Sequence, residues 1–102
     1  MEVIIIMPSY VMLIKWTDEG RKTVTDSLNR VERVRDVWKK FSAEMKAFYY
    51  VFGRYDMVAI VEAPSDAAVA KAVLTVERWG ASRIETLKAF TEAEGAEVIK
   101  GL

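Results

Sequence analysis

Along the chain, dense apolar runs take turns with longer stretches in which apolar residues are spaced out. The runs fall at 10–16 (YVMLIKW), 44–52 (EMKAFYYVF), 56–63 (DMVAIVEA) and 82–90 (SRIETLKAF). They are rich in β-branched and aromatic residues and bounded by turn formers, which predicts four strands. Between the first two, apolar residues recur in steps of three and four through Val24, Leu28, Val31, Val34, Trp38 and Phe41, the spacing of an amphipathic helix. Asp26-Ser27 competes for backbone hydrogen bonds and interrupts that stripe. The pattern therefore predicts a short helix near 18–25, capped by Thr17, and a longer one near 28–42. Pro64-Ser65-Asp66 opens a further helix with Val69, Val73 and Val76 on its buried stripe and Gly80 just past its end. Thr91-x-x-Glu94 is a capping box ahead of a last short turn of helix, which Gly95 weakens.

The resulting order, β-α-β-β-α-β, is the split βαβ arrangement of an α+β, ferredoxin-like fold with a four-stranded antiparallel sheet. Right-handed crossovers set both helices on one face and leave the other bare. A two-residue loop at Gly53-Arg54 puts Tyr50 opposite Met57 and Tyr49 opposite Val58. One side of that hairpin then carries Phe48, Tyr50, Phe52, Tyr55, Met57, Ala59 and Val61. The other carries Met45, Ala47, Tyr49, Val51, Val58 and Ile60, with Asp56 among them. Both sides are apolar, whereas a sheet with one wet face alternates. Strand one repeats the pattern, with Val11 and Leu13 backing Tyr10, Met12, Ile14 and Trp16. Such a face spans roughly 400 Å², the size of the largest apolar patches on monomers. A second copy, sheet against sheet, is the economical cover, so the sequence predicts a homodimer or higher assembly.

Composition narrows the chemistry. The 102 residues suit one domain, with fifteen basic residues balancing fifteen acidic ones. That balance gives no footprint for nucleic acid. Arg30, Arg33, Lys39 and Lys40 interleave with Glu32 and Asp36 and read as a solvated helix face. With no cysteine and no histidine, disulfides, thiol nucleophiles and imidazole-based catalysis are excluded. No acidic cluster has calcium-loop spacing, so neither metal nor cofactor is expected. Val3–Met7 is too short to span a membrane and lacks the flanks of a signal peptide. Residues 1–8 read as an extra strand or interface arm, 9–92 as the domain, and 93–102 as a short helix and tail. The expected location is cytoplasmic, without a membrane or nucleic-acid partner.

Gly53-Arg54-Tyr55-Asp56 is the one concentrated knot of polar chemistry. Its plain reading is a turn in which Asp56 bonds backbone N–H groups or an arginine. Its functional reading sets Asp56 with Arg83 or Arg54 at the mouth of a sheet–sheet interface. Aromatic walls there would let an ion pair hold a small polar ligand. The candidate ligand-binding residues are Trp16, Tyr49, Arg54, Tyr55, Asp56 and Arg83, and no catalytic residue is assigned. Trp16, Phe48, Tyr49 and Tyr50 fit core or interface as well as stacking, while Trp38 and Trp79 fit a core.

The segments YVMLIKWTDEGRKTV, NRVERVRDVW, KAFYYVFGRYDMVAIVEAPSD and ETLKAFTEAE together resemble the GYD domain family, whose Gly-x-Tyr-Asp motif Gly53, Tyr55 and Asp56 match. The resemblance covers about residues 9–99. It implies a ferredoxin-like fold of the dimeric α/β-barrel group and carries no catalytic residues. Leu28 and Gly95 depart from the family pattern. GRYDMVAIVEAPSD also resembles, more loosely, the effector-binding domain of leucine-responsive regulatory proteins, which implies small ligands such as amino acids between subunits. Two functions follow as expectations: an oligomeric module binding a small molecule or partner at a subunit interface, or a cofactor-independent dimeric-barrel enzyme acting on a small organic substrate. The absence of histidine leaves such an enzyme only Asp56, Glu62 and Glu85 on its strands.

Overall fold

A computed structural model describes residues 7–102. The elements are β1 (Ser9–Trp16), α1 (Asp18–Lys22), α2 (Ser27–Lys40), β2 (Glu44–Tyr50), β3 (Met57–Glu62), α3 (Asp66–Glu77), β4 (Ser82–Ala89) and α4 (Glu92–Lys100). A single 3-10 turn, Val24–Asp26, joins α1 to α2 at the interruption that Asp26-Ser27 predicts. The extension expected over residues 1–8 lies, for its first six residues, outside the described residues.

The strands form one antiparallel sheet in the order β2-β3-β1-β4. In the hairpin, Tyr50 pairs with Met57 and Tyr49 with Val58, as the two-residue loop predicts. A bulge between Met45 and Ala47 resets the register, so Met45, expected on the bare side with Ala47 and Tyr49, packs against the core instead. Gly53 has φ +127°, a conformation that L side chains rarely adopt. Thr17 and Ser65 cap α1 and α3 through side-chain oxygens, and Thr91 and Glu94 close a reciprocal capping box on α4. These caps satisfy helix-start N–H groups that have no intrahelical partner.

The core lies between the sheet and its helices. Tyr10, Met12, Ala59 and Val61 from the central strands pack with Trp38 of α2 and with Val69 and Ala72 of α3. All are almost fully removed from water. The opposite face presents Val11, Leu13, Val58 and Ile60 at its centre, half-buried within one chain, with Tyr49 and Leu87 more exposed. Charged Lys15, Glu62, Arg83 and Glu85 stand around them. Among the described residues this face carries no helix, an apolar centre inside a polar rim.

Three helix expectations change. Leu28, predicted on the buried stripe, is 71% exposed, because the inward side of α2 begins with Ser27 and Arg30, and Leu28 stands off it. Arg30, predicted on the solvated face, is buried beside Ser27. Its guanidinium donates to the carbonyls of Thr23 at 3.1 Å and Gly20 at 3.3 Å, and to the Thr23 hydroxyl at 3.0 Å. A cation there satisfies carbonyls left open at the end of α1, which offsets its desolvation. Trp79, predicted in the core, is 40% exposed and lies under the guanidinium of Arg33 at 5.2 Å.

Candidate binding site

The end of β1, the β2–β3 turn and the start of α2 meet at one corner of the helix-bearing side. Asp56 fastens it. The β1–β3 ladder runs as far as Ile14 opposite Met57, so beyond that point Trp16 has no strand carbonyl facing its N–H. The Asp56 carboxylate fills that place and accepts the Trp16 N–H at 2.9 Å, while the Asp56 N–H donates to the Ile14 carbonyl at 2.9 Å. The same carboxylate oxygen lies 3.6 Å from the Arg21 guanidinium. An ionised acceptor makes the stronger bond, so the charge serves the strand end directly.

Above this bond the side chains open into a cleft of about 270 Å³. Trp16 and Tyr50 form its walls, with ring centres 6.4 Å apart, and Phe48 meets Tyr50 edge-on at 5.0 Å. The Tyr50 hydroxyl lies 3.1 Å from the buried Ser27 hydroxyl, which ties β2 to the start of α2. Val24, Leu28 and Phe52 make the rim, and Phe52 is 104% exposed, as open as a side chain in an extended peptide. Behind Trp16 and Ser27 lies a smaller cavity of about 50 Å³, reaching Arg30 and Trp38.

The six sequence-predicted residues separate. Trp16 and Asp56 come together in the cleft. Tyr55 turns the other way: its hydroxyl donates to Glu85 at 2.5 Å, reaching across β1 to β4 on the open face. That bond to a carboxylate raises the Tyr55 pKa above the usual phenol range. Arg54 is exposed in the turn, with its guanidinium 5.8 Å from the Tyr55 ring. Tyr49 and Arg83 lie on the open face, on the two edge strands. The ion-pair partner of Asp56 is thus Arg21, in place of Arg54 or Arg83. The alternation rule puts Asp56 on the open side and Tyr55 on the helix side. It fails here because both precede β3, where the ladder no longer dictates direction.

Ser27 and Phe52 are cleft residues that the sequence does not single out, while Tyr50 is expected in a core, interface or stacking role and Leu28 on a buried stripe. Only the interruption at Asp26-Ser27 hinted that the start of α2 is special. A second polar cluster sits at the far end of β1. Tyr10 donates to Asp66, which also lies 3.3 Å from the Lys88 ammonium. Burial, then the Asp66 bond, pushes the Tyr10 pKa up to about 12. The Tyr10 bond, then Lys88, holds the Asp66 carboxyl below the usual range. Among the described residues no helix is long and apolar enough to cross a membrane.

Known proteins resemble this chain in sequence and fold. A family model described as the GYD domain matches residues 10–99. A Thermus thermophilus protein named "Glutamine synthetase and cystathionine beta-lyase binding protein" is 34% identical over 89 residues, covering 86% of this chain and 94% of its own. A crystal structure from Thermus thermophilus superposes with a TM-score of 0.52 at 25% identity, over 83% of this chain and 95% of that one. The leucine response regulatory protein of Mycobacterium tuberculosis shares the fold, with a TM-score of 0.61 at 17% identity over 82% of this chain. The present chain spans about half of that regulator's length, 51%.

Proposed function

The chain belongs to the GYD domain family, and from that premise we propose that it is a non-enzymatic, self-associating module that grips a protein partner. The observation that carries this reading is the rim of the cleft. Phe52, Leu28 and Val24 stand open to solvent around an aromatic-walled depression, although each is a residue that water disfavours. Exposed anchors around a concave centre are the usual make-up of an interaction hot spot. The inner cavity adds support, since its Ser27 hydroxyl and already bonded Arg30 guanidinium suit packing and hydrogen bonding better than proton abstraction.

The partner class follows from the Thermus relative, whose name states that it binds glutamine synthetase and cystathionine β-lyase. We propose the same kind of partner here, an enzyme of amino-acid metabolism in the cytoplasm. Self-association would proceed through the open sheet face, where Val11, Leu13, Val58 and Ile60 form the apolar centre.

The direct test measures binding to purified glutamine synthetase and cystathionine β-lyase of the same host. Binding to one of them should weaken at least tenfold in Phe52→Asp, with circular dichroism unchanged. Equal affinity of the variant, or no binding to either enzyme, would refute the proposal. A small polar ligand in the cleft is a second reading, favoured by the Asp56 carboxylate and the Tyr50 and Ser27 hydroxyls that line it. Native mass spectrometry of protein isolated from its own host would carry the retained mass, and Trp16→Ala would lose it.

A further inference from the structure

We infer that α4 is an arm that packs on the second copy of this chain when the two open sheet faces meet. The inference rests on the self-association proposed above. It adds that the partner contributes a helix as well as a sheet.

α4 is built to be helical but not built to be alone. Its capping box is complete, yet none of its residues is buried. Val98 is 54% exposed and Ile99 68% exposed, and Phe90, at its root, is 62% exposed. A helix of nine residues is marginal in water without packing, because one turn must be fixed before any hydrogen bond is gained. Gly95 in its interior weakens it further, because glycine is a poorer helix former than alanine. The helix therefore needs a surface to lie on.

Areas indicate which surface. A stable homodimer buries on the order of 800 Å² per partner. Four strands with the spacing and length of this sheet present roughly 400 Å² of projected face before side-chain relief is counted. The exposed side chains of Phe90, Val98, Ile99 and Leu102 add on the order of 100 Å² each when covered, another 400 Å² or so. Sheet and arm together bring the contact into the range of a lasting dimer, with the arm supplying a large part of it. α4 also leaves from β4, an edge strand, so it starts at the border of the open face and can pass beside a stacked sheet.

The experiment compares full-length wild type, the double variant Val98→Asp/Ile99→Asp, and Ile60→Glu by sedimentation velocity over a concentration series. Isotope-filtered NOE spectroscopy on a 1:1 mixture of methyl-labelled and unlabelled wild type accompanies it. The inference expects NOEs from the Val98 and Ile99 methyls to protons of the other copy. It also expects a dimer dissociation constant at least thirtyfold higher in the α4 variant, with unchanged circular dichroism of the domain. A wild-type dimer whose α4 methyls contact only their own chain, or whose dissociation constant is unmoved by the two aspartates, overturns the arm. The sheet-face reading then still stands if Ile60→Glu is monomeric. A wild type that remains monomeric overturns the sheet-face reading, and the arm with it.

Discussion

Removing the Asp56 side chain tests whether this residue is chiefly a strand fastener. In Asp56→Ala the Trp16 N–H loses an acceptor 2.9 Å away at the point where β1 outruns β3. A half-buried amide left without its partner costs about 1–3 kcal/mol. The Arg21 contact adds little: at 3.6 Å, with Arg21 64% exposed, it falls among ion pairs worth less than about 1 kcal/mol. The sum is about 2 kcal/mol, or roughly 10 °C in Tm for a domain of this size. Asp56→Asn keeps a side-chain carbonyl that can accept the same N–H, so it should cost about half as much. Arg21→Ala should cost less than about 0.5 kcal/mol. Urea denaturation at one fixed protomer concentration measures all three, since association would otherwise shift the midpoint. A loss below about 0.5 kcal/mol in Asp56→Ala would refute the fastener account outright, and equal losses in Asp56→Asn and Arg21→Ala would favour charge over the hydrogen bond.

Three other perturbations probe different parts of the fold. A Cβ at Gly20 would lie 1.9 Å from the Ala81 carbonyl oxygen, which is held in place by the Thr17 N–H at 3.0 Å. Gly20→Ala should therefore destabilise by about 3 kcal/mol, and a loss under 1 kcal/mol would show that the loop yields. Ser42 ends α2 at φ +62°, with its N–H on the Lys39 carbonyl at 3.0 Å and the Ala43 N–H on the Trp38 carbonyl at 2.9 Å. This is a Schellman motif with serine where glycine is usual, so Ser42→Gly should stabilise by about 0.5–1 kcal/mol in thermal melts. Ultraviolet titration should find one tyrosine that ionises at about pH 12 and disappears in Tyr10→Phe. Because the folded Tyr10 pKa is raised, its contribution to stability is intact below about pH 10 and lost as pH climbs through about 12. Asp66 has the opposite sign, its pKa being depressed: its contribution holds above the ordinary carboxyl range and fades as pH falls through the lower folded value.

Much of the architecture could be read from the apolar runs, the helical spacing and the turn formers between them. The two-residue loop at Gly53-Arg54 gave the pairing of Tyr50 with Met57 and Tyr49 with Val58, and the steps from Val31 to Trp38 gave the inward side of α2. Local patterning fails where a side chain serves a distant backbone. Arg30 looks like any surface arginine until α1 ends where its carbonyls can receive a guanidinium. Leu28 fits the apolar spacing but falls where α2 has only begun to meet the sheet. Asp56 and Tyr55 exchange sides because the ladder stops one residue too early for the alternation rule. The cleft was half legible: Trp16, Asp56 and the stacking role of Tyr50 could be named, but Ser27 joins them only because its hydroxyl meets that of Tyr50 where α2 starts beside β2.

Self-association through the open face, centred on Val11, Leu13, Val58 and Ile60, is part of the proposed module and the premise of the α4 arm. Native mass spectrometry of wild type beside Ile60→Glu, at micromolar protomer concentration, tests it most directly. The account predicts a dimer or a multiple of it for wild type and a folded monomer for the variant. A monomeric wild type, or a variant assembly identical to wild type, would contradict it.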